Sequence, residues 1–557
     1  MKMSVFLRKG LLYFALLASL LFAFGIPALQ ASVHQEITNQ EPSFNLEKGW
    51  GTPLKPYPNR PADDLDRHIL AEMDKYGVVG LSALFVKEGS IVWAEGYGWS
   101  DLDKEKQAAA DTIYRVASIS KTVGATALMQ LWEQGKFALD DDIGEYLGYS
   151  VRNPAYPDAK ITFRMLLTHT SGLRDGNSGG GYLQVLNLRE KPLLKDLLVP
   201  GGSHYSASTW NNYKPGSGFE YSNFGSGIVA CLVEVISGEH FDQYCLRHIF
   251  RPLGMDAGFY AADLANIQDL AVLYRPGGDG QGFVASYDNY QGRKITGQKT
   301  YELPPGNGYA GPAGGMRVSV TDLAKFMIAH MNGGTYNGCR LLQRETVDLM
   351  HQMHWFGEGC DGFYKQKGLG FHITDGLAGR RLTGHAGSGY GLISDMYFDR
   401  DENVGVIFVC NGGNYLPQGN GFCDIENSVI NLLMKRFAGS EKVGTRTIIL
   451  KSEGKMEVNG RTIILPVNSE SRGEEIFVPA ISLGDALQLG IGLDEKNNIL
   501  HLSTNGITIS AGPGKPFIEV NGLTVPCETE LYCKDNQIMV PLKMMSQELG
   551  VPIIIKQ

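Results

Sequence analysis

Tyr114-Arg115-Val116-Ala117-Ser118-Ile119-Ser120-Lys121 is the stretch around which the chain is organised, together with the helical run that follows it. Ser118 and Lys121 stand three positions apart, so on a helix they share one face. At a helix start the serine also meets backbone N–H groups that favour developing negative charge. A buried lysine with a lowered pKa can take the proton from such a hydroxyl and make it a nucleophile. The run Thr122 to Gln134 carries Val123, Ala125, Leu128, Met129, Leu131 and Trp132 on nearly every side. That pattern predicts a buried helix, with Gly135 as its cap. A lone Ser-x-x-Lys arises by chance in long chains, so the reading depends on partners elsewhere.

Two partners follow. Tyr221-Ser222-Asn223 precedes an apolar helical run, Ile228 to Ile236. From such a loop a phenol can exchange protons while an amide binds a substrate carbonyl. His385-Ala386-Gly387-Ser388-Gly389 lies among strand-like runs at 369–373, 381–384, 391–398 and 404–409. A small residue at a strand edge lets substrate backbone approach, and a free N–H there can hold an oxyanion. His169, in Leu166-Leu167-Thr168-His169-Thr170-Ser171-Gly172-Leu173, reads as a structural histidine ahead of a catalytic base. His351 and His354 read as packing residues for want of a third metal ligand.

The chain has 557 residues, 43% hydrophobic and 20% charged, enough for more than one domain and a large core. A net charge of −9 without a basic stripe argues against nucleic acid as a partner. Lys2, Arg8 and Lys9, the apolar run Leu11 to Ile26 and the small residues ending at Ala31 predict a signal peptide over 1–31. The mature protein is then secreted or in the cell envelope. Residues 32–59 read as a tether and 60–437 as the main domain, in which Ala62 to Tyr76 has helical spacing and 78–86 with 91–98 a hairpin pattern. The glycine-rich segment Asp175 to Tyr182 reads as a mobile rim loop, and Leu273 to Pro312 as a weakly patterned lid or rim. Cys527 with Cys533, then Cys339 with Cys360, are the most local disulfide candidates in an exported chain. After a linker at 438–445, residues 446–557 repeat. Glu457-Val458-Asn459-Gly460 and Phe477-Val478-Pro479 recur 62 positions later as Glu519-Val520-Asn521-Gly522 and Met539-Val540-Pro541 (519 − 457 and 539 − 477). Each unit is predicted to pass from strand through Val-Pro into helix.

Ser118-x-x-Lys121, Tyr221-x-Asn223 and His385-x-Gly387, in this order, resemble the serine β-lactamase and penicillin-binding-protein superfamily, in its class C β-lactamase and DD-peptidase branch. Residues 167–173 and Gly314-Gly315-Met316 look like further landmarks of that family. The resemblance implies an α/β (α+β) fold: an antiparallel sheet flanked by helices, with a mainly helical subdomain beside it. It implies Ser118 as acylated nucleophile, Lys121 as helping to deprotonate it, Tyr221 as general base or proton relay and Asn223, His385, Gly387 and Ser388 as substrate-binding residues. The backbone N–H groups of Ser118 and Ser388 would form the oxyanion hole. The implied activity is acyl-enzyme chemistry on a peptidoglycan-type peptide, a β-lactam or an ester, without cofactor or metal. Relatives that grip a substrate carboxylate often carry Lys-Thr-Gly or His-Thr-Gly where this chain has His385-Ala386-Gly387. The missing hydroxyl leaves an esterase or D-aminopeptidase as the alternative, and a surface-binding protein that turns over nothing as a third reading. Residues 446–557 resemble the copper amine oxidase N-terminal-like module, expected here to attach the protein to the cell envelope. With His501 as its single histidine, copper is not expected.

Overall fold

The hairpin pattern near the start of the main domain fixes the centre of its sheet. β1 (Gly80–Lys87) and β2 (Ser90–Asp101) pair antiparallel. Glu88 and Gly89 turn between them at φ of 53° and 72°, the left-handed backbone that tight hairpins use. The computed structural model describes residues 52–58, 63–177, 180–186, 188–278, 282–290, 303–357, 363–439, 446–451, 454–473, 475–494, 497–504, 506–551 and 553–556. The signal peptide expected over 1–31 lies outside these residues, as do most of the tether and the linker. The end of the tether is bound to the domain: Thr52 bridges Phe283, and the Tyr57 hydroxyl donates to the Val78 carbonyl at 2.7 Å.

Around β1 and β2 a nine-stranded antiparallel sheet is assembled from β3 (Lys106–Gln107), β4 (Trp355–Phe356), β5 (Gln366–Lys367), β6 (His372–Leu377), β7 (Arg380–Gly389), β8 (Leu392–Asp399) and β9 (Val404–Cys410). Its order is β4-β5-β6-β7-β8-β9-β1-β2-β3. The central strands are apolar at successive positions because both faces are covered. Phe85, Val406 and Phe408 meet Ile69 and Met73 of α1 (Asp64–Lys75), together with Ile425 and Val429 near the C-terminus of the domain. Leu84, Val86, Ile407 and Val409 face the other way, into a larger core with α2 (Ser120–Glu133), α3 (Asn223–Ser237) and α4 (Val320–Met331). α2 is buried from Ser120 to Met129, as its all-round apolar pattern predicts, and Gly135 just beyond it is left-handed at φ 69°.

The described part of the 273–312 segment includes an antiparallel ribbon, Leu273–Pro276 against Phe283–Tyr287, more regular than its glycine-rich composition suggests. Cys527 and Cys533 are free thiols, contrary to the pairing that proximity in sequence suggested. Cys527 directly follows the strand 523–526 and Cys533 lies on the strand 532–534, and these strands belong to two different sheets. Cys360 lies outside the described residues, so the pairing with Cys339 does too.

The two C-terminal units follow the predicted order. β10 (Glu475–Pro479) enters the helix Ala480–Ala486, and β11 (Gln537–Pro541) enters the helix Leu542–Leu549. Both Asn-Gly pairs turn left-handed hairpins, at φ of 51° and 79° and of 50° and 81°. β10 and β11 pair antiparallel, with Val478 opposite Val540, so the repeats join in one shared core.

Candidate active site

Ser118 lies in a single 3-10 turn, Ala117–Ile119, that leads directly into α2, and it is half-buried. The chain before it is strapped down by the Gly314-Gly315-Met316 segment. Val116 N–H donates to the Met316 carbonyl at 3.0 Å, Met316 N–H to Ser120 Oγ at 3.0 Å, and Arg115 Nε to the Gly314 carbonyl at 2.8 Å. One turn on, buried Lys121 directs Nζ at three acceptors: Ser118 Oγ at 2.9 Å, Asn223 Oδ1 at 2.7 Å and the Ala313 carbonyl at 2.7 Å. Burial lowers the Lys121 pKa to about 7, against the opposing pull of the Asp175 carboxylate. Near neutral pH a substantial share of this amine is therefore free to accept a proton from Ser118.

Asn223 and Tyr221 stand at the start of α3, and the anchor there is Asp175. Its carboxylate accepts from Ser222 Oγ at 3.0 Å, Asn223 Nδ2 at 2.8 Å and Phe224 N–H at 2.8 Å. A carboxylate at this helix end satisfies an otherwise unpaired N–H and complements the helix dipole. It also fixes the Asn223 amide with its oxygen toward Lys121. Asp175 thus corrects the reading of its segment as a mere rim loop: glycine content concealed one acid with a fixed task.

His169 is structural, as expected. Its backbone is left-handed at φ 59°, and its Nδ1 accepts from Ser222 N–H at 3.2 Å. Burial, followed by the charges of Lys367 and Lys121, holds its pKa well below the usual histidine value. His351 and His354 are also packing residues: His351 sits among His330, Phe371 and Phe398, while His354 meets Arg164 and the Leu349 carbonyl.

Tyr221 is held by rings. Lys121 Nζ lies 4.9 Å from its centroid, and Tyr364 stacks on it at 4.5 Å with a 5° interplanar angle. Lys367 Nζ in turn sits 5.2 Å from the Tyr364 centroid. Lys367 is completely buried, and its amine has no hydrogen-bond partner among the described residues. Burial and then the Lys121 charge lower its pKa to about 7 as well. Asp175, Tyr364 and Lys367 were all missed from sequence. The one available signal was a lysine beside an apolar strand-like run, at Gln366-Lys367-Gly368-Leu369.

β7 closes the site from the opposite side. Gly387 is essential to that approach: a Cβ there would lie 2.5 Å from the Val116 carbonyl and from Ser394 Oγ, and 3.0 Å from Ser118 N. Ser388, half-buried, follows it at the edge, opposite Ile393 of β8. His385 is fully buried, with Nδ1 2.6 Å from the Ala386 carbonyl and its ring 6.2 Å from Tyr221. Burial, then Lys367 and Lys121, holds its pKa well below the usual value, so His385 is neutral and offers the site edge no cation. The structure therefore brings Ser118, Lys121, Tyr221, Asn223 and Gly387 together, and sets His385 behind them.

Among the described residues no group of three or more His, Cys, Asp and Glu side chains could hold a metal. In the C-terminal module the single histidine, His501, has its Nδ1 2.8 Å from Ser510 Oγ.

Comparisons with known proteins match two family models to the chain. The model described as Copper amine oxidase N-terminal domain matches residues 457–557. The Bacillus subtilis (strain 168) protein PbpX, which carries the name of a penicillin-binding protein, is 32% identical over 199 residues, 35% of this chain and 45% of that one. Protein flp of Staphylococcus aureus (strain N315) is 26% identical over 197 residues, 35% of this chain and 38% of that one. The chain thus spans less than half the length of these curated relatives. Two solved structures share the fold. The octameric penicillin-binding protein homologue from Pyrococcus abyssi has TM-score 0.51 at 19% identity, covering 86% of this chain and 99% of its own. The D-amino acid amidase from Ochrobactrum anthropi SV3, complexed with L-phenylalanine amide, has TM-score 0.51 at 22% identity, covering 68% and 98%. The model described as Beta-lactamase matches residues 65–420, nearly two thirds of the sequence and all of the site just described, and the chain belongs to that family.

Proposed function

We propose that the chain is an exported serine hydrolase working through an acyl-enzyme on Ser118, with peptidoglycan-type D-alanyl peptides as its acyl donors. The observation that carries the reading is the desolvated Lys121 amine, 2.9 Å from Ser118 Oγ, with a pKa near 7. As Oγ attacks the substrate carbonyl, neutral Lys121 takes its proton. In this reading the backbone N–H groups of Ser118 and Ser388 hold the oxyanion, and Asn223 orients the substrate amide. Tyr221 relays the proton to the leaving amine; water then attacks the ester and returns Ser118. Export is supported by the charged, apolar and small-residue order of residues 1–31, and envelope attachment by the C-terminal module.

Hydrolysis of an ester or a D-amino-acid amide is the second reading. It is favoured by the neutral, buried His385 and by Ala386, which leave no cation and no hydroxyl at these two positions of β7 for a terminal carboxylate. Release of D-alanine from a D-alanyl-D-alanine peptide, compared with release of p-nitrophenol from p-nitrophenyl acetate, separates the two. Peptide turnover lost in Ser118→Ala supports the first. Ester turnover alone, lost in the same variant, supports the second.

A further inference from the structure

β4 and β5 form a ribbon of two residues against two, with Trp355 opposite Lys367 and Phe356 opposite Gln366. Side chains alternate across such a ribbon, so one pair faces one way and the other pair the opposite way. Trp355 stacks on Phe219 at 4.4 Å, and Phe219 lies two residues before Tyr221. Lys367 sits over Tyr364, itself stacked on Tyr221. This face is the wall of the candidate site. On the other face Phe356 packs against the core of the C-terminal module. Gln366 Oε1 accepts from Arg381 at 2.6 Å, and Arg381 in turn pairs with Asp485 of the module at 2.9 Å, both side chains nearly buried.

The strap continues along the same edge. Asp485 also accepts from Met353 N–H at 2.9 Å, two residues before Trp355. Gln352 bonds both the N–H and the carbonyl of Ile464, and Asp348 accepts from Thr462 N–H at 3.0 Å. Arg461 pairs with Asp401 at 2.9 Å. Module contacts therefore bracket the segment that carries Trp355, Tyr364 and Lys367. Buried polar contacts of this kind set position strictly, because a small displacement leaves desolvated groups unpaired.

We propose that the C-terminal module is a working part of the acyl-transfer site: through the β4–β5 ribbon it holds Trp355 and Tyr364 against Phe219 and Tyr221, and Phe356, Gln366 and Asp485 are positioning residues for the reaction. The proposal rests on the acyl-transfer reading of this site. Its test uses the full chain, with p-nitrophenyl acetate as substrate and thermal unfolding measured beside it. Phe356→Ala and Asp485→Asn are each expected to lower kcat roughly tenfold or more at temperatures where the variants are fully folded, the scale expected when reacting groups are misplaced by a fraction of an ångström. Phe356→Leu, which still fills the module core, is expected to recover most of the rate. Combined with Phe219→Ala, the loss from Asp485→Asn should shrink, since both act through one wall. Wild-type kcat and KM in folded Phe356→Ala and Asp485→Asn would overturn the module's role alone. Turnover that survives Ser118→Ala would instead overturn the acyl-transfer reading, and this proposal with it.

Discussion

Two buried amines set the chemistry at the scale of single residues. Lys121 must be neutral to take the Ser118 proton, and its pKa is near 7. Turnover is therefore expected to rise about tenfold per pH unit below pH 7 and to level above it. A kcat/KM profile checks this; a flat profile between pH 5 and 8 would remove Lys121 as the base. Lys367 differs in having no acceptor among the described residues. Folding lowers its pKa from 10.5 to about 7, so between those values the unfolded chain holds a proton that the folded chain has released. Its contribution to stability consequently rises with pH across that window. Lys367→Met should stabilise the fold at pH 7 by about 1–3 kcal/mol, the usual cost of an unsatisfied buried polar group. The part of the gain that comes from releasing the Lys367 proton on folding should fade toward pH 10.5. Chemical denaturation at pH 7 and pH 10 measures it, and an unchanged midpoint at pH 7 would count against the amine as a burden on the fold.

The elements that position these residues depend on a few fixed contacts. Asp175 caps the start of α3 and aligns Asn223. Asp175→Ala is expected to cost about 1–2 kcal/mol of stability, the scale of a lost helix cap, and to slow acylation as the Asn223 amide loses its hold. Urea unfolding and a labelling time course test the two effects separately. Gly387→Ala should leave the sheet folded but abolish acylation, because its methyl would press on Val116 and the Ser118 turn; labelling at the wild-type rate would refute that. Much at this scale was legible in the sequence. α2 announced itself through its all-round apolar run, the β1–β2 hairpin through two strand-like runs joined by a short turn, and the C-terminal units through the Val-Pro recurrence. Ser118 and Lys121 were legible because three residues of spacing already fix their relation on a helix. Asp175, Tyr364 and Lys367 were not: Asp175 is 48 positions from Asn223, and only the packed sheet brings Tyr364 to Tyr221. His385 shows the same limit, since a motif position identifies a residue without revealing that burial keeps it neutral.

For the whole molecule, the repeats were visible in the sequence but their surface of contact was not. Arg381 and Asp485 meet across 104 positions, with nothing local to mark either as half of a pair. The module expected to attach the protein also packs against the edge of the candidate site, so removing 446–557 would expose Phe356 and leave Arg381 without Asp485. The central claim, nucleophilic Ser118, is tested most directly by an intact-mass time course of the whole protein with a penicillin, beside Ser118→Ala. The account predicts a mass increase of one penicillin on the wild type and none on the variant. An equal adduct on both proteins would contradict it.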